Sequence, residues 1–316
     1  MKILVTPTSL QPGKGSAHLE RLREFTDDLV FNELGRPLTE DELIPLLSDC
    51  DGYIAGVDQV TARVLEHCDK LKIIARYGAG VDRVDLKAAA EKGICVTNTP
   101  GANAEAVGEL TFALLLAVAR NVPSLNASTR EGGWVRSTGL ELYGKTIGIL
   151  GLGAIGKVTA RCAQGFGMKV LAYDPYINEE YCREHDIASV PFDELTEKAD
   201  VLSLHLPAMP STYHIISREV IENLKPGAII INASRGGLID EEATYDALKS
   251  GRLGGLGLDA FETEPPKDSP LFEFDRVVVT PHTGAHTKEA TDNMARMAVD
   301  SVIDVLSGRE TPYRIV

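Results

Sequence analysis

Short apolar runs and helical stretches alternate along the chain. Runs of five to seven residues rich in Val, Ile and Leu fall at 2–6, 52–57, 72–77, 94–98, 146–151, 169–174, 201–206, 228–234, 256–261 and 277–281. Several are continuously apolar instead of alternating, as parallel strands covered on both faces should be. Strand–helix alternation of this kind predicts an α/β fold with parallel sheets. The spacing predicts a long helix over 104–120, with Asn103 placed to cap it. From Val107 onward that helix is apolar nearly all round, so it is expected to be buried between domains or subunits. A second helix is predicted over 288–306, where Met294, Met297, Ala298, Val302 and Val305 share one face. Those methionines read as core, not as a cofactor box.

At 316 residues the chain has room for two domains. It carries 46 acidic against 32 basic residues, a net charge of −14. An acidic surface argues against nucleic acid and against a membrane surface as partners. It leaves room for an anionic substrate held by a few arginines. Five scattered cysteines without a CxxC pair read as reduced thiols, and the N-terminus has no apolar signal core. A cytoplasmic location is expected.

The clearest chemical signal is Gly151-Leu-Gly153-Ala-Ile-Gly156. It directly follows an apolar run, opens a helix predicted over 154–166, and is followed by a second run ending in Asp174. That is the dinucleotide-binding context. Gly151 permits the turn, Gly153 lets the backbone approach a pyrophosphate, and Gly156 lets helix and strand pack. The helix N-terminus offers unpaired N–H groups and a positive dipole end. Asp174 would accept from ribose hydroxyls and repel a 2′-phosphate, which favours NAD over NADP. A glycine-rich structural turn is the bland alternative. A second glycine-rich stretch, Arg76-Tyr-Gly-Ala-Gly-Val-Asp82, lacks the third glycine and an acidic strand end at the right distance.

Three later strand ends carry polar residues: Arg235, Glu264 and His282. Ligands of open α/β sheets gather at such ends. A 2-hydroxy acid loses a hydride from C2 and a proton from its hydroxyl. A histidine near neutral pH suits the proton, a carboxylate beside it fixes its tautomer and favours the charged ring, and an arginine suits a planar carboxylate. Taken singly, Glu264 reads equally as a solvated loop acid and Arg235 as a structural ion-pair partner. His282 and His286 are four residues apart, the spacing of a zinc pair. No Glu follows the first histidine and no third ligand is evident, so no metal is expected.

The stretches GILGLGAIG, NASRGGLIDEEA, GLDAFETEP and TPHTGAHT resemble the D-isomer-specific 2-hydroxyacid dehydrogenase family. RYGAGVDRVD and VTNTPGANAEAVGELT fit its phosphoglycerate dehydrogenase-like branch. The resemblance implies that Arg235 holds the substrate carboxylate and carbonyl oxygen, that His282 is the acid/base, and that Glu264 hydrogen-bonds to it. His286 is then a bystander. It implies a carboxylate cradle at the amides of Gly78 and Ala79, and a nicotinamide anchor at Asp259. Ala154 and Ile155 fall in the pyrophosphate loop, and Ala233 and Ser234 line the nicotinamide side. Arg76 matches an arginine near a substrate phosphate. The loop at 55–61 departs from the branch, offering Asp58 and Gln59 where an arginine is usual.

The implied architecture is two flavodoxin- or Rossmann-like domains with parallel sheets. The substrate domain is expected at 1–99 and 287–316, with the NAD domain inserted at 100–286. A homodimer through the NAD domain is implied, with Trp134 at the interface and Arg136 reaching toward the partner. The end at Val316 implies a short form without the regulatory serine-binding extension. The expected partner is a small anionic 2-hydroxy or 2-keto acid: 3-phosphoglycerate-like, or alternatively glyoxylate or hydroxypyruvate. An NADH-sensing, corepressor-like binding protein is the reading from another class.

Overall fold

The computed structural model describes residues 1–316, which divide into two compact units, Met1–Asn103 with Ala285–Val316, and Ala104–Gly284. The split unit holds β1 (Ile3–Val5), β2 (Leu29–Phe31), β3 (Gly52–Ala55), β4 (Ile73–Arg76) and β5 (Cys95–Thr97). They form one parallel sheet in the order β2-β1-β3-β4-β5, the flavodoxin-like winding. The C-terminal helix Lys288–Leu306 packs on this sheet and buries Met294, Met297, Ala298 and Val302, so the methionines are core. Its start is set by Thr287, whose side chain accepts from the Ala290 N–H at 3.1 Å.

The continuous unit holds β6 (Thr146–Leu150), β7 (Lys169–Tyr173), β8 (Ala188–Ser189), β9 (Val201–Leu204), β10 (Ala228–Asn232), β11 (Leu253–Leu258) and β12 (Val277–Val279). Its parallel sheet runs β12-β11-β10-β9-β6-β7-β8, a Rossmann winding with one added strand. The winding reverses between β6 and β9, where such sheets open a crevice for ligands. β10 is buried at all five positions. Truncating one of its isoleucines to alanine is expected to cost about 2–5 kcal/mol.

Folding gives one predicted helix its neighbours and changes two other expectations. The long helix, Ala104–Ala119, packs inside its own unit, where it buries Phe112, Leu114, Leu115 and Val118. It crosses the helix Ala154–Gly165 so closely that a Cβ on Gly108 would lie 2.4 Å from the Val158 side chain. Asn103 does not cap it: its side-chain oxygen has no hydrogen-bond partner. β11 begins three residues earlier than the apolar run suggests. Its second and third residues are glycines, and neighbours press on both: a Cβ on Gly254 would lie 2.2 Å from the Gly227 carbonyl oxygen, and one on Gly255 2.3 Å from Val118. No single helix is long and apolar enough to cross a membrane.

Candidate functional site

The glycine loop is built as its residue types require. Gly151 has φ of 97°, in the left-handed region, and a Cβ there would lie 2.7 Å from the His205 carbonyl oxygen. A Cβ on Gly156 would lie 2.1 Å from the Gly151 oxygen, so only glycine lets the helix start this close to the strand. Gly153 differs: a Cβ there meets nothing within 4 Å. It caps the helix Ala154–Gly165 without any side-chain bond, so the first-turn N–H groups around Ala154 and Ile155 face open space. A cradle of bare donors with a free approach at its centre fits a pyrophosphate. Asp174 Oδ2 accepts from the Leu152 N–H and Oδ1 from the Tyr176 N–H, each at 2.8 Å. The acid braces the loop and keeps acceptor capacity on both oxygens.

One side chain beside this loop was not singled out in the sequence. His205 directly follows β9, and its N–H donates to the Leu150 carbonyl at 2.7 Å. Its Nε2 lies 2.9 Å from the Ser203 hydroxyl, while Nδ1 is buried without a partner. Burial lowers its pKa from 6.5 to about 3, so the ring is neutral at physiological pH.

The second cluster lies at the ends of β10, β11 and β12. His282 Nδ1 lies 2.8 Å from Glu264 Oε1, with side chains 34% and 22% exposed. The same oxygen accepts from the Phe261 N–H at 3.3 Å. His282 itself has φ of 53°, uncommon for a residue with a Cβ. Asp259 explains how it is held. This acid is 2% exposed, and it grips both flanks of His282. Oδ1 accepts from the Thr280 hydroxyl at 2.6 Å and the Thr283 N–H at 2.8 Å, and Oδ2 from the Gly284 N–H at 2.8 Å. Oδ2 keeps room for a further donor.

Arg235 follows β10 in an extended conformation and precedes a 3₁₀ turn at Gly236–Leu238. Asn232 shapes this turn, accepting from the Ser234 N–H at 3.1 Å and donating to the Arg235 carbonyl at 2.8 Å. The Ser234 hydroxyl donates to the Leu206 carbonyl at 2.7 Å, which ties the turn and its neighbour Ala233 to the end of β9. A Cβ on Gly236 would lie 1.8 Å from the Phe261 carbonyl carbon, so the Arg235 and Glu264 loops meet backbone to backbone.

In the split unit, Gly78 has φ of 152°, and neither its N–H nor that of Ala79 donates to another group of the chain. Arg76 is 5% exposed beneath them. It donates through Nη1 to the Ala55 carbonyl at 2.8 Å and through Nε to the Gly80 carbonyl at 3.0 Å. The guanidinium thus braces two loops. Asp58, read from the sequence as a polar candidate of the 55–61 loop, is 1% exposed and points into the protein. It accepts from the Leu38 N–H at 2.7 Å and the Tyr53 hydroxyl at 2.9 Å, and from Thr6. Gln59 and Val57 are the exposed side chains of that loop.

The stretch from Thr280 to Thr287 is a loop, so His282 and His286 do not share a helix face. No group of three metal-ligating side chains occurs.

Comparison with known proteins agrees with this geometry. Residues 112–284 match the D-isomer specific 2-hydroxyacid dehydrogenase, NAD binding domain. A D-3-phosphoglycerate dehydrogenase of Methanocaldococcus jannaschii is 46% identical over 280 residues, covering 87% of this chain and 53% of the relative. The chain therefore spans about half the length of such relatives. A glyoxylate reductase of Korarchaeum cryptofilum is 39% identical over 320 residues, covering 99% of this chain and 95% of the relative. In three dimensions, the TT0316 protein from Thermus thermophilus superposes with a TM-score of 0.90 at 40% identity, over all of both chains. The two parallel sheets, the glycine loop and these relatives together make the chain a member of the D-isomer specific 2-hydroxyacid dehydrogenase family.

Proposed function

We propose that the protein is an NAD-dependent dehydrogenase that interconverts a D-2-hydroxy acid and its 2-keto acid. The observation that carries this reading is the His282–Glu264 pair at 2.8 Å, in the same unit as a glycine loop fit for a dinucleotide. The continuous unit is then the NAD domain and the split unit the substrate domain. NAD, when bound, supplies the hydride chemistry. His282 gives or takes the proton of the substrate oxygen through Nε2. Glu264 fixes the tautomer by holding Nδ1 and balances the charge of the protonated ring. Arg235 is the proposed holder of the substrate carboxylate and carbonyl oxygen, and Asp259 of the nicotinamide amide. Gly78 and Ala79 offer two undonated N–H groups to a carboxylate.

Among substrates, one observation favours a small acid over a phosphorylated one. The 55–61 loop shows Val57 and Gln59 outward and no cation, and the Nη1 and Nε groups of Arg76 are engaged by main-chain carbonyls. Glyoxylate and hydroxypyruvate fit such a loop better than a phosphate ester. A homodimer through the NAD domain accords with the exposed Trp134 (80%), Val135 (64%) and Tyr143 (77%) of one segment. Five free thiols accord with a reducing cytoplasm.

The test is NADH oxidation by the purified protein across glyoxylate, hydroxypyruvate, pyruvate, phosphohydroxypyruvate, sulfopyruvate and oxaloacetate. His282→Ala is expected to lower kcat about a hundredfold to ten-thousandfold while NADH affinity stays within about twofold. Undiminished turnover in that variant would remove His282 from the chemistry. NADH binding with no turnover on any acid would instead favour a redox-sensing binding protein.

A further inference from the structure

A second histidine–glutamate pair stands beside the first. His214 Nε2 contacts Glu262 Oε1, and both side chains are about one-third exposed. His214 is one of five non-glycine residues with positive φ, at 49°. Such a conformation persists where the surroundings over-determine it. Here they do. The His214 N–H donates to the Gly237 carbonyl at 2.8 Å, and the Ile216 N–H to the Leu238 carbonyl at 3.0 Å. The ring stacks on Tyr213, centroid to centroid at 3.9 Å and 16° from parallel.

The pair spans two loops. Gly237 lies two residues after Arg235, and Glu262 lies two residues before Glu264. The Glu262 N–H donates to Glu241 Oε1 at 3.0 Å, so its main chain is held as well as its side chain. Glu241, at the start of the helix Glu241–Lys249, has its carboxyl pushed upward, first by burial and then by the Glu262 charge, against that hydrogen bond and the nearby His214. With Gly236 pressed on Phe261, a closed ring results: Arg235 and its turn, His214, Glu262, and back through the loop to Glu264.

We propose that His214 and Glu262 are positioning residues, which hold the Arg235 turn and the Glu264 loop in the register that lets Glu264 orient His282. The inference rests on the roles assigned above to Arg235, Glu264 and His282. Magnitudes separate this role from a structural one. A partly exposed ion pair adds little to global stability. A displacement of about 1 Å in a catalytic group, by contrast, can lower turnover about a hundredfold.

The experiment uses the full chain and the keto acid that it reduces best. His214→Phe keeps the stack on Tyr213 and loses the nitrogen, Glu262→Ala removes the acceptor, and Glu262→Gln keeps an oxygen in place. Both deletions are expected to lower kcat at least about tenfold, with NADH affinity unchanged and the melting temperature within about 2 °C of wild type. The double variant should be no worse than the poorer single one, and Glu262→Gln should recover most of the rate. Wild-type kcat in His214→Phe, losses that multiply in the double variant, or a rate loss that tracks a falling melting temperature would each overturn the inference. An active wild type with an unimpaired His214→Phe sinks this inference alone. A wild type inactive on every acid sinks the functional reading and the inference with it.

Discussion

Two glycine-rich turns follow parallel strands in this chain, and they differ in where their positive potential comes from. The turn after β6 runs straight into a helix, and Gly153 leaves the first-turn amides bare at a dipole end. The turn after β4 reaches no helix until Leu86. There the amides of Gly78 and Ala79 stand alone, and a buried guanidinium, Arg76, underlies them. The first arrangement suits a diphosphate, whose charge spreads along a helix end. The second suits one compact carboxylate. Glycine at a strand end therefore does not name its ligand; the element that follows it and the charge beneath it do.

The largest expected effect comes from filling the first turn. Gly153→Ala places a methyl where the protein has only open space, so the fold should be unaffected. A pyrophosphate needs that space, and NADH affinity should fall about a hundredfold, ~2.7 kcal/mol. Calorimetric titration with NADH checks it, and wild-type affinity would mean that the cofactor lies elsewhere. The second turn should respond through substrate instead. Arg76→Met removes the brace from the Ala55 and Gly80 carbonyls and should destabilise the protein by about 1–3 kcal/mol. KM for the keto acid should rise about tenfold, with NADH affinity unchanged. A change in NADH affinity of the same size would erase the distinction between the turns.

The smallest effect at neutral pH concerns His205, which abuts the first turn. Its folded pKa, about 3, lies below the ordinary 6.5, so the unfolded chain binds the extra proton. Stability is full above pH about 6.5 and is lost as pH falls toward about 3, by up to about 1.4 kcal/mol per pH unit. His205→Asn should flatten the curve of melting temperature against pH in that window. An unchanged acid limb would show that the ring is hydrated in the folded state.

Much of this was legible beforehand for definite reasons. The runs at β1 and at Ala228–Ile231 of β10 are continuously apolar, as a doubly covered parallel strand should be. β2 and β8, with three and two residues, are too short to carry a period. The glycine loop was readable because each glycine answers a local steric demand. Asp58 misled because a carboxylate in a loop reads as solvent-facing, yet Thr6, Leu38 and Tyr53, distant in sequence, supply donors that bury it. His205 and His214 gave no signal, since neither sits in a motif and each acquires meaning from neighbours brought by other strands.

The sequence by itself determined the fold class, the dinucleotide loop and the residue types at three strand ends, because period, steric allowance and ionisation are local properties. Only the tertiary structure decided that the long helix is buried within its own unit and that Arg76 turns inward to carbonyls. It alone decided that Asp259 grips the chain on both sides of His282 and that a second histidine–glutamate pair joins the Arg235 and Glu264 loops. Most of those are relations between groups far apart in sequence, such as the 24 residues between Asp259 and Thr283, and distance in space is set by packing, which no local pattern records.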